Sequence, residues 1–262
     1  MKKIFMMTLL LLMMIFVGCG GGQNFVSHEK IVVGIDDEFP PMAFHDANGK
    51  LVGFDIDLAK ETAERMGVEF EFCPIDWNNK KEEILSGHVD IIWNGLDITA
   101  ERKEYMIFSK PYMEDRQIFF VKKDTEQNIH SENDIEGKIV GTQSGSTSEI
   151  YIAQNETLKN SLKELKIYYK VNDAIDALEK NEIELFVCDE IIARYEMNKH
   201  PLKFEIIDVK VGDITGMGIG FRKEDTELRD RVQKIFDEMI KDGTAKDISE
   251  KWFQADLIKH KK

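Results

Sequence analysis

An aspartate, a helix cap and an arginine follow one another closely within residues 93–112, WNGLDITAERKEYMIFSKPY. The apolar run 89–93 predicts a strand, which ends at Gly95 because glycine tolerates backbone angles that other residues avoid. Thr99 is typical of a helix N-cap, three residues before Arg102. A guanidinium and free backbone groups would therefore meet where a strand ends and a helix begins. Arginine binds carboxylates through two parallel hydrogen bonds, so the pattern predicts a carboxylate site.

Strands and helices alternate along the chain around this stretch. An apolar run predicts a strand at Lys30–Ile35, and apolar residues at helical spacing predict a helix at Phe54–Met66, with Gly67 as its C-cap. The same reasoning predicts further strands at 68–73, 90–93, 117–122, 138–141, 166–169 and 183–188, and helices at 80–86, 173–180 (capped by Asn172), 189–197, 226–241 and 244–253. This alternation indicates an α/β fold with mostly parallel sheets and ligands at the carboxyl ends of the strands.

The arginine-containing stretch resembles one segment of the bacterial extracellular solute-binding proteins for polar amino acids, of the glutamine, histidine and lysine/arginine/ornithine type. In that family a G-x-[ST]-x-T-x-x-R run holds the ligand's backbone, and this chain has Gly95, Asp97, Thr99 and Arg102 in that frame. Further segments fall in family order and extend the resemblance over nearly the whole chain after the leader: DDEFPPMAF (36–44), VGFDID (52–57), FSKPY (108–112), GKIVGTQSGS (137–146), GMGIGF (216–221) and DGTAKDISEKWF (242–253).

The resemblance implies a two-lobed periplasmic-binding-protein-like fold of type II, in which each lobe is a mostly parallel sheet with flanking helices. Residues 27–112 and 217–262 would form lobe one, and residues 113–216 would form lobe two. Two hinge strands, near 113–117 and 213–217, would join them. Gly212 and Gly216 flank the second of these and could absorb backbone change.

The resemblance also implies a ligand site between the lobes. Arg102 would clamp the ligand's carboxylate, assisted by the loop 142–147 of lobe two, and Asp189 and the Gly95 carbonyl would accept from its ammonium. Asp36 would read the ligand's side chain between the aromatic rings of Phe39 and Trp77. The implied ligand-binding residues are Asp36, Phe39, Trp77, Asn94, Gly95, Asp97, Arg102, Gln143, Ser146, Thr147 and Asp189.

Each of these residues also has an ordinary structural interpretation. Arg102 could be a surface arginine among charged neighbours, and Asp189 could cap a helix that starts at Glu190. Ser146 could cap its helix with Glu149 as the reciprocal partner. Phe39 and Trp77 could belong to the core, although the polar neighbours of Trp77 predict that it is the more exposed of the two.

Asp97 departs from the family pattern, which has Ser or Thr at that position. Its carboxylate adds negative charge beside Asp189, so either the ligand is more cationic than usual or Asp97 pairs with a cation of the protein. Because Asp36, Asp37 and Glu38 add further acids, the sequence favours lysine, arginine, ornithine or histidine over glutamine or cystine.

The N-terminus has the pattern of an export signal. Lys2 and Lys3 precede a short apolar run that ends at Gly18, which predicts a signal peptide over residues 1–18. Cys19 resembles a lipidated cysteine, and residues 19–26 would form a glycine-rich tether. A plain secretory signal with an incidental Cys19 is the alternative. The expected location is extracytoplasmic, with a lipid anchor in the cell membrane.

The composition fits a soluble acidic protein. The chain is 42% hydrophobic and 32% charged, with a formal net charge of −14, which becomes −16 when Lys2 and Lys3 leave with the signal peptide. Such charge argues against nucleic acid and anionic lipid as partners and favours the approach of cationic solutes, although solubility alone would also explain it. Cys73 and Cys188, one in each implied lobe, are expected to be buried free thiols, since a bridge between them would oppose hinge motion.

The resemblance implies the substrate-binding protein of an amino-acid ABC transporter, a monomer that closes on its ligand and delivers it to a membrane permease. Two alternatives stay open: a cyclohexadienyl dehydratase-like enzyme on the same fold, using Asp97, Glu38 or Asp189 as an acid, and a sensor domain. The sequence contains no nucleophile–base motif, and its six histidines lack metal-ligand spacing, so we expect no catalytic residues, metal or cofactor.

Overall fold

A computed structural model of the protein describes residues 29–123, 125 and 128–259. The predicted signal peptide 1–18, Cys19 and the tether 19–26 lie outside the described residues. Within the part of the chain that is described, no helix combines the length and the apolar character needed to cross a membrane.

The secondary structure alternates as the sequence predicts. The strands are β1 (Lys30–Ile35), β2 (Glu38–Phe39), β3 (Ala43–His45), β4 (Leu51–Val52), β5 (Glu69–Pro74), β6 (Ile91–Ile92), β7 (Met106–Phe108), β8 (Met113–Lys122), β9 (Ile139–Gln143), β10 (Glu164–Tyr168), β11 (Leu185–Asp189), β12 (Phe204–Met217) and β13 (Gly220–Arg222). The helices are α1 (Phe54–Met66), α2 (Lys80–Ser86), α3 (Ala100–Lys103), α4 (Thr147–Gln154), α5 (Glu156–Ser161), α6 (Val171–Glu179), α7 (Glu190–Lys199), α8 (Thr226–Asp242) and α9 (Thr244–Phe253), with a 3₁₀ turn at Trp77–Asn79.

Two five-stranded sheets define the two lobes of an α/β fold. The first lobe is built on the order β5-β1-β6-β13-β7 and the second on β10-β9-β11-β8-β12. Each sheet is mixed, with two parallel and two antiparallel pairings, whereas the sequence predicts mostly parallel sheets. β1 runs parallel to β5 and β6, and β9 runs parallel to β10 and β11, whereas β13 in the first sheet and β8 and β12 in the second pair antiparallel with their neighbours. Helices α1 and α8 pack on the first sheet and α9 packs against both of them, while α4, α6 and α7 pack on the second sheet.

Strands β8 and β12 carry the chain between the lobes. They pair antiparallel from Met113 opposite Met217 to Lys122 opposite Phe204. Farther along β8, Ile118 and Phe120 join one hydrophobic cluster while Phe119 and Val121 join another. Both faces of the strand are therefore buried, which is why its sequence is a continuous apolar run rather than an alternating one.

Several predicted elements have the predicted bounds, namely Lys30–Ile35, Phe54–Met66, Lys80–Ser86 and Thr244–Phe253. The predicted cap at Asn172 is wrong. Helix α6 begins at Val171, and Lys170 occupies the N-cap without a side-chain bond. Val171 is buried with Ala174, Ile175 and Leu178 on one face of the helix, so packing starts the helix earlier than capping chemistry suggests. Cys73 in β5 and Cys188 in β11 are both free, as predicted, but only Cys188 is buried; Cys73 is partly exposed, so its expected burial is wrong.

Candidate functional site

Arg102 is a buried cation whose side-chain hydrogen bonds go to backbone carbonyls. Thr99 accepts a hydrogen bond from the backbone N–H of Arg102 at 3.2 Å, so the predicted cap of α3 is confirmed. The side chain is only 2% exposed. Its Nη1 donates to the Asp97 carbonyl at 2.9 Å and its Nη2 donates to the Gly145 carbonyl at 3.2 Å, while Nε has no partner among the described residues.

The guanidinium of Arg102 forms no ion pair with any carboxylate of the described residues. Burying a charge is costly unless an opposite charge or a full set of hydrogen bonds compensates it. The interpretation of Arg102 as a surface arginine is therefore wrong. A cavity of about 320 Å³ borders it, between Lys80, Tyr105, Gly145 and Glu149.

The loop of the second lobe that follows β9 reaches across to the first lobe. Gly145 has a φ of +70°, and a Cβ there would lie 2.9 Å from the Cα of Asn78 and from the Nζ of Lys80. Lys80 donates to the Gly145 carbonyl at 2.7 Å and to the Trp77 carbonyl at 2.9 Å. Burial, together with the charge of Arg102, lowers the pKa of Lys80 to about 7.

Ser146 caps α4, because its Oγ accepts from the backbone N–H of Glu149 at 3.1 Å. The reciprocal bond expected of a capping box is displaced by one residue. The Glu149 carboxylate accepts from the N–H of Gly145, and the N–H of Ser146 donates to the Gln143 carbonyl instead.

Three carboxylates meet between the lobes. One oxygen each of Asp97, Asp115 and Asp189 lies within 4.8 Å of the other two. Asp97 accepts from the hydroxyls of Thr147 and Thr215, both at 2.6 Å. No Lys or Arg of the described residues forms an ion pair with Asp97, so the structure provides no protein cation for this atypical acid.

Asp189 ends β11 immediately before α7. It occupies the N-cap position of α7 but makes no side-chain capping bond there. Its carboxylate accepts instead from Gln117, whose Nε2 also donates to Asp115 at 2.8 Å. Burial and the neighbouring acids raise the pKa of Asp115 well above its usual range, and burial and Asp97 raise that of Asp189.

Asp36 lies at the end of β1 and links the two lobes. It is 8% exposed, and its Oδ2 accepts from the side-chain amide of Gln143 at 2.7 Å. Burial raises the pKa of Asp36 to about 6, although hydrogen bonds from Glu38 and Gln143 oppose the shift.

The two predicted aromatic residues are both buried. Phe39 is 5% exposed and its ring lies against Gly95. Trp77 is 7% exposed and packs in a hydrophobic cluster, so it is marginally the more exposed of the two, as expected, although both rings are buried. The ammonium of Lys80 lies 5.2 Å from the centre of the Trp77 ring.

The turn at Asn94 and Gly95 is held by an acid that the sequence reasoning did not single out. The carboxylate of Asp55 accepts from the Gly95 N–H at 2.6 Å and from the Tyr112 hydroxyl at 2.9 and 3.0 Å. Asn94 is 1% exposed, and neither atom of its amide has a partner among the described residues.

Other residues of the site were also missed, namely Lys80, Asp115 and Gln117. Asp115 and Gln117 are two residues apart in β8 and therefore share one face of the strand. Period-two spacing of polar residues in a predicted hinge strand was the available signal. Lys80 carried no signal, because the loop that buries it comes from the other lobe.

Two α/β lobes joined by two strands, with a charged crevice between them, define the class of two-lobed solute-binding proteins. The profile of the bacterial extracellular solute-binding proteins, family 3, matches residues 31–255, so the chain belongs to that family.

Individual relatives bind different amino acids. The chain is 30% identical over 244 residues to the L-cystine-binding protein TcyJ of Escherichia coli K12, and the aligned region covers 87% of this chain and 84% of TcyJ. It is 29% identical over 235 residues to the arginine-binding extracellular protein ArtP of Bacillus subtilis 168, covering 86% of each. A crystal structure of an ABC uptake transporter substrate-binding protein from Streptococcus pneumoniae with bound histidine matches with a TM-score of 0.82 and 34% identity, over 88% of this chain and 95% of that one.

Proposed function

We propose that this protein is the substrate-binding component of an amino-acid ABC transporter and that it captures a cationic amino acid between its lobes. The observation that carries the proposal is the buried guanidinium of Arg102, which lacks an acidic partner among the described residues. Its charge acts on Asp189, a carboxylate that forms no ion pair with a Lys or Arg of the described residues. A zwitterion supplies the missing charge to both.

The charges of the crevice favour a ligand with a cationic side chain. Four carboxylates, those of Asp36, Asp97, Asp115 and Asp189, are arranged around it against the two cations Arg102 and Lys80. By this count two negative charges remain, and a neutral amino acid, whose own carboxylate and ammonium cancel, would leave both uncompensated. Lysine, arginine and ornithine each bring a second cationic group, as histidine does when its imidazole is protonated. Arginine and histidine are the named ligands of two of the relatives.

In the proposed mechanism the lobes close on the ligand by bending at β8 and β12. Lobe one (27–112 and 217–262) binds the ligand's carboxylate through Arg102, with Asn94 and Gly95 beside it. Lobe two (113–216) then closes with Gln143, Ser146, the backbone N–H of Thr147, and Asp189. Phe39 and Trp77 flank the ligand's side chain and Asp36 receives its cation. The closed form, held by Lys80 and Arg102 on the Gly145 carbonyl, would dock on the membrane permease.

Thermal unfolding in the presence of single amino acids tests this function. At a concentration of 100 times Kd, L-lysine, L-arginine, L-ornithine or L-histidine should add about 2.7 kcal/mol of stability, which corresponds to a rise in Tm of roughly 5–10 °C. L-glutamine, which is close in size to lysine but has a neutral side chain, and the larger L-cystine serve as controls at equal concentration. Small-angle scattering with the best ligand should show a monomer that becomes more compact. The absence of a shift with every amino acid would refute the proposal.

A dehydratase is the second candidate, because the raised pKa values of Asp115 and Asp189 suit a general acid. The relatives of this protein named above are binding proteins, so we infer that it binds its ligand without turnover. Consumption of prephenate or arogenate by the purified protein would decide for the enzyme.

We further propose that the protein is exported and anchored through a lipid on Cys19, outside the cytoplasmic membrane. The proposal rests on the charged start, the apolar run and the glycine–cysteine junction of residues 1–19. Globomycin should therefore cause a larger precursor to accumulate, and a Cys19→Ser variant should be found unanchored. Unchanged processing in globomycin would rule out the lipoprotein.

A further inference from the structure

The three carboxylates between the lobes come from three different parts of the fold. Asp97 follows β6 in the first lobe, Asp115 lies on the connecting strand β8, and Asp189 ends β11 in the second lobe. Their closest oxygens lie within 4.8 Å of one another. Three acceptors that each lie about 2.8 Å from a tetrahedral nitrogen are about 4.6 Å apart. The spacing therefore matches one primary ammonium group, which has three donors to offer.

A buried amide at the same place lacks a donor. Gln117 is 2% exposed, and its Nε2 donates to Asp115 and Asp189, which fixes the amide at the carboxylates. Its Oε1 is buried and has no partner among the described residues. A carbonyl oxygen can only accept, so this atom calls for an additional N–H or O–H donor beside the cluster.

Asp97 connects this cluster to Arg102, the proposed site of the ligand's carboxylate. The backbone carbonyl of Asp97 accepts from Arg102, and the side chain of Asp97 belongs to the cluster. The ammonium group that lies beside a carboxylate in an amino acid is the α-ammonium. Its position one carbon away from the carboxylate suits the short separation that Asp97 spans.

We propose that Asp115 is a specificity-determining residue that completes, with Asp97 and Asp189, a three-carboxylate receptor for an unsubstituted α-ammonium group. The inference rests on the proposed amino-acid-binding function and extends it to the connecting strand. Because Asp115 lies on β8, the bound ammonium joins the first lobe, the second lobe and the strand between them. Ligand recognition and lobe closure then share the same three residues.

Calorimetric titration of Asp115→Asn tests the proposal, with L-arginine, L-lysine and L-histidine as probes. The substitution keeps the shape of the side chain and removes its charge, and we expect affinity to fall about 10–100-fold. Glu114→Gln is the matched control. It makes the same charge change on the neighbouring residue of β8, whose side chain is 68% exposed, and it should change affinity less than about twofold.

Ligand methylation gives a readout that a purely structural role would not move. Nα-methylation removes one of the three donors, so the wild-type protein should strongly prefer each amino acid over its Nα-methyl derivative, and Asp115→Asn should reduce that preference. The wild-type comparison requires no variant to fold.

The outcomes separate this inference from the proposed function. Wild-type binding of L-arginine with unchanged affinity in Asp115→Asn, or equal wild-type affinity for the Nα-methyl derivatives, would overturn the role of Asp115 and leave the function intact. Failure of the wild-type protein to bind any of the three amino acids would remove both. Stabilisation by calcium chloride that is lost in Asp115→Asn would assign the cluster to a metal ion and also overturn the proposal.

Discussion

Arg102→Ala should weaken binding of a cationic amino acid by at least about a hundredfold. Removing one partner of a desolvated ion pair costs about 3–5 kcal/mol, because the other charge stays buried without compensation, and each 1.4 kcal/mol is a factor of ten in affinity. In the variant the ligand's carboxylate would have to enter the closed crevice without the guanidinium. The affinity of Arg102→Lys should lie between those of the wild type and Arg102→Ala, since lysine keeps the charge but loses the bidentate geometry.

The same substitution should leave the ligand-free protein as stable as the wild type or more so. Arg102 is buried without an acidic partner among the described residues, so its removal relieves an unfavourable charge. Lys103→Ala is the matched control, because Lys103 is the next residue of α3 and is exposed. Calorimetry gives the affinities and thermal unfolding without ligand gives the stabilities. Micromolar affinity in Arg102→Ala, or a large loss of stability without ligand, would indicate that the guanidinium is structural.

The residues visible from the sequence are those whose roles depend on local chemistry. Thr99 caps α3 and brings Arg102 to the start of a short helix, and Gly67 ends α1 in the left-handed conformation. These features need only the chain within a few residues. The helix bounds at Phe54–Met66 and Thr244–Phe253 follow from the same local signals.

The acid cluster depends on strand register, which one sequence does not reveal. Gln117 lies opposite Asp189 in the β8–β11 pair, and Asp115 lies opposite Thr215 in the β8–β12 pair. A slip of one residue in either pairing would move these side chains to the other face of the sheet. Thr147 and Thr215, which donate to Asp97, also come from distant segments. Neither these neutral partners of Asp97 nor its lack of a cation among the described residues could therefore be foreseen.

A second large effect is expected from pH: affinity for a cationic amino acid should fall at least about tenfold between pH 7.5 and pH 5. The pKa of Asp36 is raised to about 6 by burial, and a cation binds its ionised form. Each pH unit below the pKa of one such group costs about a factor of ten. Asp189 adds to the loss of affinity. Burial and the charge of Asp97 raise its pKa, so its proton must also leave before an ammonium binds.

The ligand-free protein should show the opposite trend in stability. Asp36 and Asp55 have pKa values raised to about 6 and about 7 by burial, so their protonated forms favour the folded state. That stability is complete below the usual pKa near 3.8 and is lost as pH rises through 6 to 7. Lys80, with its pKa lowered to about 7, contributes above pH 7, where stability rises with pH.

Thermal unfolding with and without L-arginine from pH 7.5 to pH 5 would display both trends in one experiment. On acidification, the Tm of the free protein should rise while the increment added by the ligand shrinks. Asp36→Asn should make the decline in affinity shallower. Asp46→Asn is the control and should leave the decline unchanged, because Asp46 is a partly exposed acid whose pKa is lowered by hydrogen bonds within its own loop. An affinity that is flat across this range would mean that Asp36 and Asp189 do not face the ligand's cationic groups. The acids of the crevice would then serve folding rather than capture.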